Sequence, residues 1–242
     1  MKDRHAEDSS RQAPPRRTWE RPPARVLALL LPLIPVLAYG LVAMRVNREA
    51  GLRFTDEDGP VEWMTFGVLA YLTAYAFARR ASWKSQPAMR GARALWLGMA
   101  AMFLFGTLEE ISYGQRIFGW ESPAWFLEHN RQQETNLHNL VAFGVNINKL
   151  VFGKILAISI LLYVLVFPLL YRSRGRFRSA CDRLCLPIAR NYQIVLYILI
   201  AAVVSAHKAL DDEINELMEL GGVCMILAIL WHPLRLEARP DD

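Results

Sequence analysis

Two adjacent carboxylates, Glu109 and Glu110, end an apolar run, and Arg116 follows them within LEEISYGQRIFGW, residues 108–120. Downstream, Glu134 and His138 stand four residues apart in ETNLHN (134–139), and His207 and Asp211 repeat that spacing. On a helix, a carboxylate and an imidazole at this spacing share a face. There they can share a proton or bind one metal, or the carboxylate can orient the histidine. Two histidines with several carboxylates are ligand types suited to zinc or iron. With Glu109 or Glu110 as general base, such a centre would activate a water for attack on a carbonyl. The sequence therefore nominates Glu109, Glu110 and Arg116 as catalytic residues, and His138, His207, Asp211 and Glu134 as holders of a divalent metal. Glu62, Tyr113, Gln115, Asn139, Glu216 and Glu219 are nominated in support.

Each nomination has a plainer alternative. Continued as a helix, the segment puts Glu109, Tyr113 and Arg116 on one face, so Arg116 is expected to pair with Glu109 or Glu110. An ion pair of that kind explains one carboxylate but leaves its neighbour unexplained. Glu62 falls in the first turn of a helix, where the dipole alone favours a negative charge. Asp211, Asp212 and Glu213 read mostly as a hydrated turn. Gly221 and Gly222, beside Glu219, point to a close helix contact. His129 reads as a surface residue, and His5 and His232 are set aside because they fall on the other side of the membrane in the topology below.

The elements that must position these groups are apolar. The chain has 242 residues, of which 53% are hydrophobic, and its charges cluster between apolar runs. Six spans are expected, at Val26–Met44, Val61–Ala78, Ala92–Ser112, Asn148–Tyr171, Ile194–Leu210 and Ile214–Trp231. Pro32 and Pro35 should kink the first or break its opening turn, and Pro60 should open the second. Residues 1–25 are polar and rich in Arg and Pro, as expected of a disordered tail preceding a signal anchor. Residues 26–235 form the transmembrane domain and 236–242 a short tail.

The loops alternate in charge. The N-terminus, the 79–93 loop, the 172–190 loop and the C-terminus are basic, whereas the 45–62 and 208–213 loops are mixed or acidic. The positive-inside rule then places both termini in the cytoplasm. Glu62, Glu109, Glu110, His138 and the Asp211 cluster all fall on the opposite side. Charged groups at membrane depth persist mainly when paired, hydrated or functional, so their convergence marks a site. Trp120, Pro123, Trp125 and Phe126 predict a short amphipathic helix capped by Ser122, within a segment, 117–140, that lies on the bilayer or re-enters it. The net charge of +5 is dispersed over separate loops, so no nucleic-acid surface is implied. Cys181, Cys185 and Cys224 read as free thiols; the first two could share a helix face.

The segments LEEISYGQRIFGW and ETNLHN resemble those of a bacterial family of multi-span membrane proteins to which no activity is assigned. A weaker resemblance is to the CAAX-protease and bacteriocin-processing (CPBP) intramembrane endopeptidases. That family pairs adjacent glutamates with a later histidine, then a histidine four residues before Asn or Asp. Glu109, Glu110, His138, His207 and Asp211 follow that order. Gly114 stands where the family has arginine, and Glu134 where it has phenylalanine. Alkaline ceramidase-like hydrolases are also multi-span but use three histidines. The expectation is an all-α, multi-pass protein of the bacterial inner membrane. It would be a metal-dependent hydrolase, with zinc or iron, of a lipid or membrane peptide. The alternatives are an ion- or proton-coupled carrier or channel using the same carboxylates, and a non-enzymatic assembly or immunity factor.

Overall fold

The structure is a computed structural model describing residues 22–55, 59–137, 139–142, 145–146, 155–208 and 215–234. His138, Asp211 and the polar tails before residue 22 and after residue 234 lie outside it, as does the side chain of His207.

The described chain is mostly helical, with turns and loops between the helices and a two-residue antiparallel pairing, Val141↔Asn146 and Ala142↔Val145. Helix α1 (Ala24–Val46) is followed by α2 (Arg48–Thr55), α3 (Pro60–Ala81) and α4 (Arg90–Glu110). Two short helices follow, α5 (Gln115–Phe118) and α6 (Ala124–His129). Next, α7 (Ala157–Leu161) runs through a π-helical turn, Leu162–Val166, into α8 (Phe167–Ser173). Pro168 accounts for that wider turn, because it has no N–H to give to the carbonyl of Val164 and its ring crowds that carbonyl. The chain ends in α9 (Gly175–Arg183), α10 (Asn191–Lys208) and α11 (Asn215–Trp231).

Three stretches are long and apolar enough to cross a membrane: Ala24–Val46, Arg48–Ala81 and Pro87–Glu110. A fourth is added if Ile158–Ser173 and Gly175–Arg183, bent by 115°, form one broken span. The described parts of α10 and α11 cover 18 and 17 residues, each reaching residues outside the description, so three or four of the six expected spans are found among the described residues. Several expectations are corrected. α1 is not broken at its opening turn and runs on past Pro32 and Pro35. Residues after Val46 form α2 instead of an open loop, and the basic 172–190 loop contains α9. Cys185 lies past the end of α9 at φ 50°, so it shares no helix face with Cys181, although all three cysteines are free thiols.

α11 is the axis of the bundle. It is apolar on all sides, and no residue from Glu216 to Trp231 is exposed, as expected for a helix surrounded by others. Leu217, Leu220, Cys224, Met225 and Ala228 pack with Val26, Leu30, Leu33, Val61, Ile200 and Val204. Leu227 and Leu230 join Leu69, Leu72, Trp96, Ala100 and Phe103 between α3 and α4. The outer helices instead expose apolar faces, including Leu31 at 58%, Ile34 at 60% and Leu169 at 62%. Such faces suit lipid, which competes for apolar side chains and leaves close packing to hold helices together.

The two ends of the bundle differ in chemistry. At one end Arg25 donates to the carbonyl of Trp231, and Arg190 Nε donates to the carbonyls of His232 and Pro233 at 3.3 and 3.2 Å. Gln193 Nε2 donates to the carbonyl of Ala228 at 2.8 Å. The Trp231 carbonyl is one that the end of α11 leaves without a helical partner, and the bonds from Arg190 hold the chain that follows the helix. Trp96 Nε1 reaches the carbonyl of Cys185 at 3.2 Å, bringing the start of α4 to the same end. The opposite end holds the start of α3, the end of α4 and the start of α11, and with them the acidic residues.

Small residues set two approaches. A Cβ on Gly221 would stand 2.9 Å from the Ile200 side chain, and one on Gly51 would stand 2.6 Å from the backbone nitrogen of Met44. The expected contact at Gly221 is present, whereas at Gly222 there is open space. A side chain can turn aside and a backbone cannot. Gly51→Ala should therefore destabilise the detergent-solubilised protein by about 1–3 kcal/mol. Gly221→Ala should do less harm, and thermal unfolding of both variants measures the difference.

Candidate functional site

The site begins where α4 ends. Ile111 leaves helical geometry at φ −110°, ψ 18°, and Ser112, Tyr113 and Gly114 follow at φ 47°, 56° and 93°. Glycine takes such angles freely, whereas each non-glycine residue held there costs about 1–3 kcal/mol. Ser112 is fully buried. Its hydroxyl donates to Glu134, and it accepts from Asn136 Nδ2 at 2.9 Å. These bonds hold the residue in its unusual conformation.

This break corrects the expected helical face. Arg116 does not continue the line of Glu109 and Tyr113; it turns toward the start of α3 and the loop after α6. Its Nη1 meets Glu62 and also donates to the backbone carbonyl of Glu110 at 3.2 Å. Its Nε and Nη2 meet the Glu134 carboxylate at 3.1 and 3.0 Å. The side chains of Arg116, Glu62 and Glu134 are 7%, 10% and 17% exposed. Burial disfavours the guanidinium charge, but the hydrogen bonds and charges of Glu134 and Glu62 outweigh it and hold Arg116 above its ordinary pKa. Arg116 is thus a fixed internal cation bridging two carboxylates, and neither Glu109 nor Glu110 supplies the carboxylate expected to pair with it.

Glu109 serves the loop. It is buried, and its Oε2 accepts the Leu137 N–H at 2.7 Å. Tyr113 is hydrogen-bonded to the same carboxylate. Its phenol is pushed up to about 12 by burial first and then by Glu109, so it stays protonated through the physiological range.

The remaining polar residues form one lattice. Gln115 Oε1 accepts the Thr135 N–H at 2.9 Å and the Ser122 hydroxyl at 3.0 Å. Ser122 therefore ties the loop down and does not cap the helix; the residue before α6 is Pro123. Asn136 Oδ1 accepts from Asn130 Nδ2 at 2.8 Å and from the Asn139 N–H at 3.1 Å. Asn139 Nδ2 also donates to Gln132. Asn130 Oδ1 accepts from the backbone N–H groups of Gln132 and Glu134 at 2.9 and 3.3 Å. The two segments that stood out in the sequence are therefore each other's contacts. His129 is apart from this lattice, stacked on Trp125 with ring centroids 4.7 Å apart.

Glu110, at the end of α4, is partly exposed, and its backbone carbonyl accepts from Arg116. Glu216 and Glu219 lie on the first turns of α11, the former buried. Glu62 and Glu134 thus hold Arg116 directly, with Glu109, Glu110 and Glu219 at the same end of the bundle. Sequence reasoning missed the parts played by Ser112, Ser122, Asn130 and Thr135. The signal was there in the density of amide and hydroxyl side chains over 130–136. Among the described residues, no group of three or more His, Cys, Asp or Glu side chains is arranged to hold a metal ion. Glu134, nominated as a ligand, is engaged instead by Arg116, Ser112 and Asn136.

No family model, curated protein or solved structure matches the chain.

Arg116→Ala would leave Glu62 and Glu134 buried beside each other without their shared cation. A loss of about 3–5 kcal/mol is expected, read as a lower unfolding midpoint in detergent. Arg116→Lys should recover only part of it, because an ammonium lacks the fork that reaches both carboxylates.

Proposed function

We propose that this chain is a multi-pass protein of the bacterial inner membrane that carries protons, or a monovalent cation in their place, through its carboxylate cluster. One observation carries the reading. Arg116 is committed to Glu62 and Glu134, while Glu110 and Glu219, at the same acidic end, have no ion pair among the described residues. Carboxylates held together at the end of a helix bundle need a further positive charge, and one that can exchange is a coupling ion. Partial exposure gives Glu110 access to that ion. The fixed cation beside it supports a gating role for Arg116, because each ion arriving or leaving changes the local balance of charge.

The metal-dependent hydrolase reading rests on His138, His207 and Asp211, whose side chains lie outside the described residues. The resemblance to the CPBP endopeptidases rests on the same groups. The proton-carrying reading draws on Glu62, Glu110, Arg116, Glu134 and Glu219, at the acidic end of the bundle. The basic end of the bundle supports a cytoplasmic position for that end, with the carboxylates toward the outer face.

Reconstituted in liposomes containing a pH-sensitive dye, with the potential clamped by potassium and valinomycin, the protein should pass protons faster than empty vesicles do. Glu110→Gln and Glu219→Gln should bring flux to the empty-vesicle level, while the exposed Glu128→Gln should leave it intact. Absence of flux from the unaltered protein would overturn the reading. About one zinc or iron per chain, lost on His138→Ala with His207→Ala, would put the hydrolase in its place.

Orientation is tested separately in a Cys185→Ser background. A cysteine at Glu121 should react with an impermeant maleimide on intact cells, and one at Ser173 only after permeabilisation. The reverse pattern would invert the topology.

A further inference from the structure

At the basic end of the bundle, the chain turns by 115° between the helix closing at Ser173 and α9. Arg178 fixes this corner. It is buried, its Nε donates to the carbonyl of Tyr171 at 3.2 Å, and its Nη2 donates to that of Arg172 at 3.4 Å. The Tyr171 hydroxyl donates to Asp182 Oδ1 at 2.7 Å, which occupies the one acidic side chain between residues 172 and 190. Arg172 is likewise used, donating to Asn191 Oδ1 at 2.6 Å.

Arg174 and Arg176 differ. Both are exposed, and neither side chain makes a hydrogen bond or ion pair among the described residues. They line a shallow groove of about 550 Å³ together with Leu170, Ser173, Gly175 and Phe177. Leu169, beside it, is 62% exposed on the apolar face of α8. The groove therefore has a cationic rim, a hydroxyl and an apolar wall that continues along the helix.

We infer that this groove binds the head group of an anionic phospholipid, with Arg174 and Arg176 on the phosphate and Leu170 and Phe177 against the first part of an acyl chain. Charge complementarity selects the anion, and the apolar wall selects a lipid over a free phosphate. An α-helix that descends through the bilayer and turns by 115° leaves α9 close to the plane of the membrane surface, at the depth of the phosphates. Because Arg178, Tyr171 and Asp182 lock the corner, the two free arginines are presented without rearrangement. The inference is independent of the carboxylate cluster, which lies at the other end of the bundle.

Native mass spectrometry of the full-length protein, released from detergent after incubation with phosphatidylglycerol and phosphatidylcholine of matched chains, tests it. The protein should retain phosphatidylglycerol preferentially. Arg174→Gln with Arg176→Gln should weaken that retention by roughly tenfold or more, since each basic side chain near a surface counts for about 1 kcal/mol. Each single change should weaken it by an intermediate factor, and the paired lysine variant should keep most of the binding. Equal retention of both lipids, or undiminished retention by the paired glutamine variant, would overturn the inference. So would displacement of the lipid by millimolar inorganic phosphate, which would mark the groove as a site for the free anion.

Discussion

A single guanidinium ties together three pieces of chain that the sequence keeps well apart. Arg116 meets Glu62 across 54 residues and Glu134 across 18, and all three side chains are largely withdrawn from solvent. Buried charges are tolerated when each is paired and hydrogen-bonded, and here one fork serves two carboxylates and a backbone carbonyl. The start of α3, the turn after α4 and the loop after α6 are therefore positioned relative to one another by electrostatics. The rest of the bundle, which is packed through apolar contacts, leaves that end open to such an arrangement.

The turn after α4 shows how a local conflict is resolved by tertiary contacts. Left to itself, the run from Glu109 to Phe118 would extend the helix and line up Glu109, Tyr113 and Arg116. Positive φ at Ser112 and Tyr113 is unfavourable for residues with side chains. It is held by bonds from Ser112 to Glu134 and Asn136, and by the Leu137 N–H on Glu109. Strain of this kind survives where the surroundings over-determine the backbone, and such places cluster at functional sites.

The bundle is also polarised along its length. Arginines at one end bond the last carbonyl of α11 and those just past it, close the corner between α8 and α9, or line an apolar groove. Carboxylates at the other end occupy the first turns of α3 and α11, where the helix dipole favours them, and the last turn of α4, where it does not. The less favourable position of Glu109 and Glu110 is offset by the backbone N–H that Glu109 accepts and by the nearby guanidinium. An exchangeable positive charge would relieve what remains of the repulsion, which is the physical basis for reading the cluster as a coupling site.

What the amino-acid sequence determined by itself is the helical, segmented character of the chain. Apolar runs bounded by charges place α1, α3 and α4, the start of α10 and the close of α11 within a few residues of their observed ends, because hydrophobic length and flanking charge are local properties. The separation of acidic and basic ends was legible for the same reason, as was the importance of the two segments 108–120 and 134–139. Tertiary structure alone decided the pairing within them. Helical spacing assigned Arg116 to Glu109 or Glu110, but the break at Ser112 is stabilised by groups more than twenty residues away, and no local rule encodes it. Ser122 looked like a helix cap because its neighbours do, and it became a tether because Gln115 and Thr135 come to it from elsewhere in the chain. Periodicity reports which residues one helix could bring together. Which carboxylates share a cation depends on where other helices end, and that is fixed only when the bundle packs.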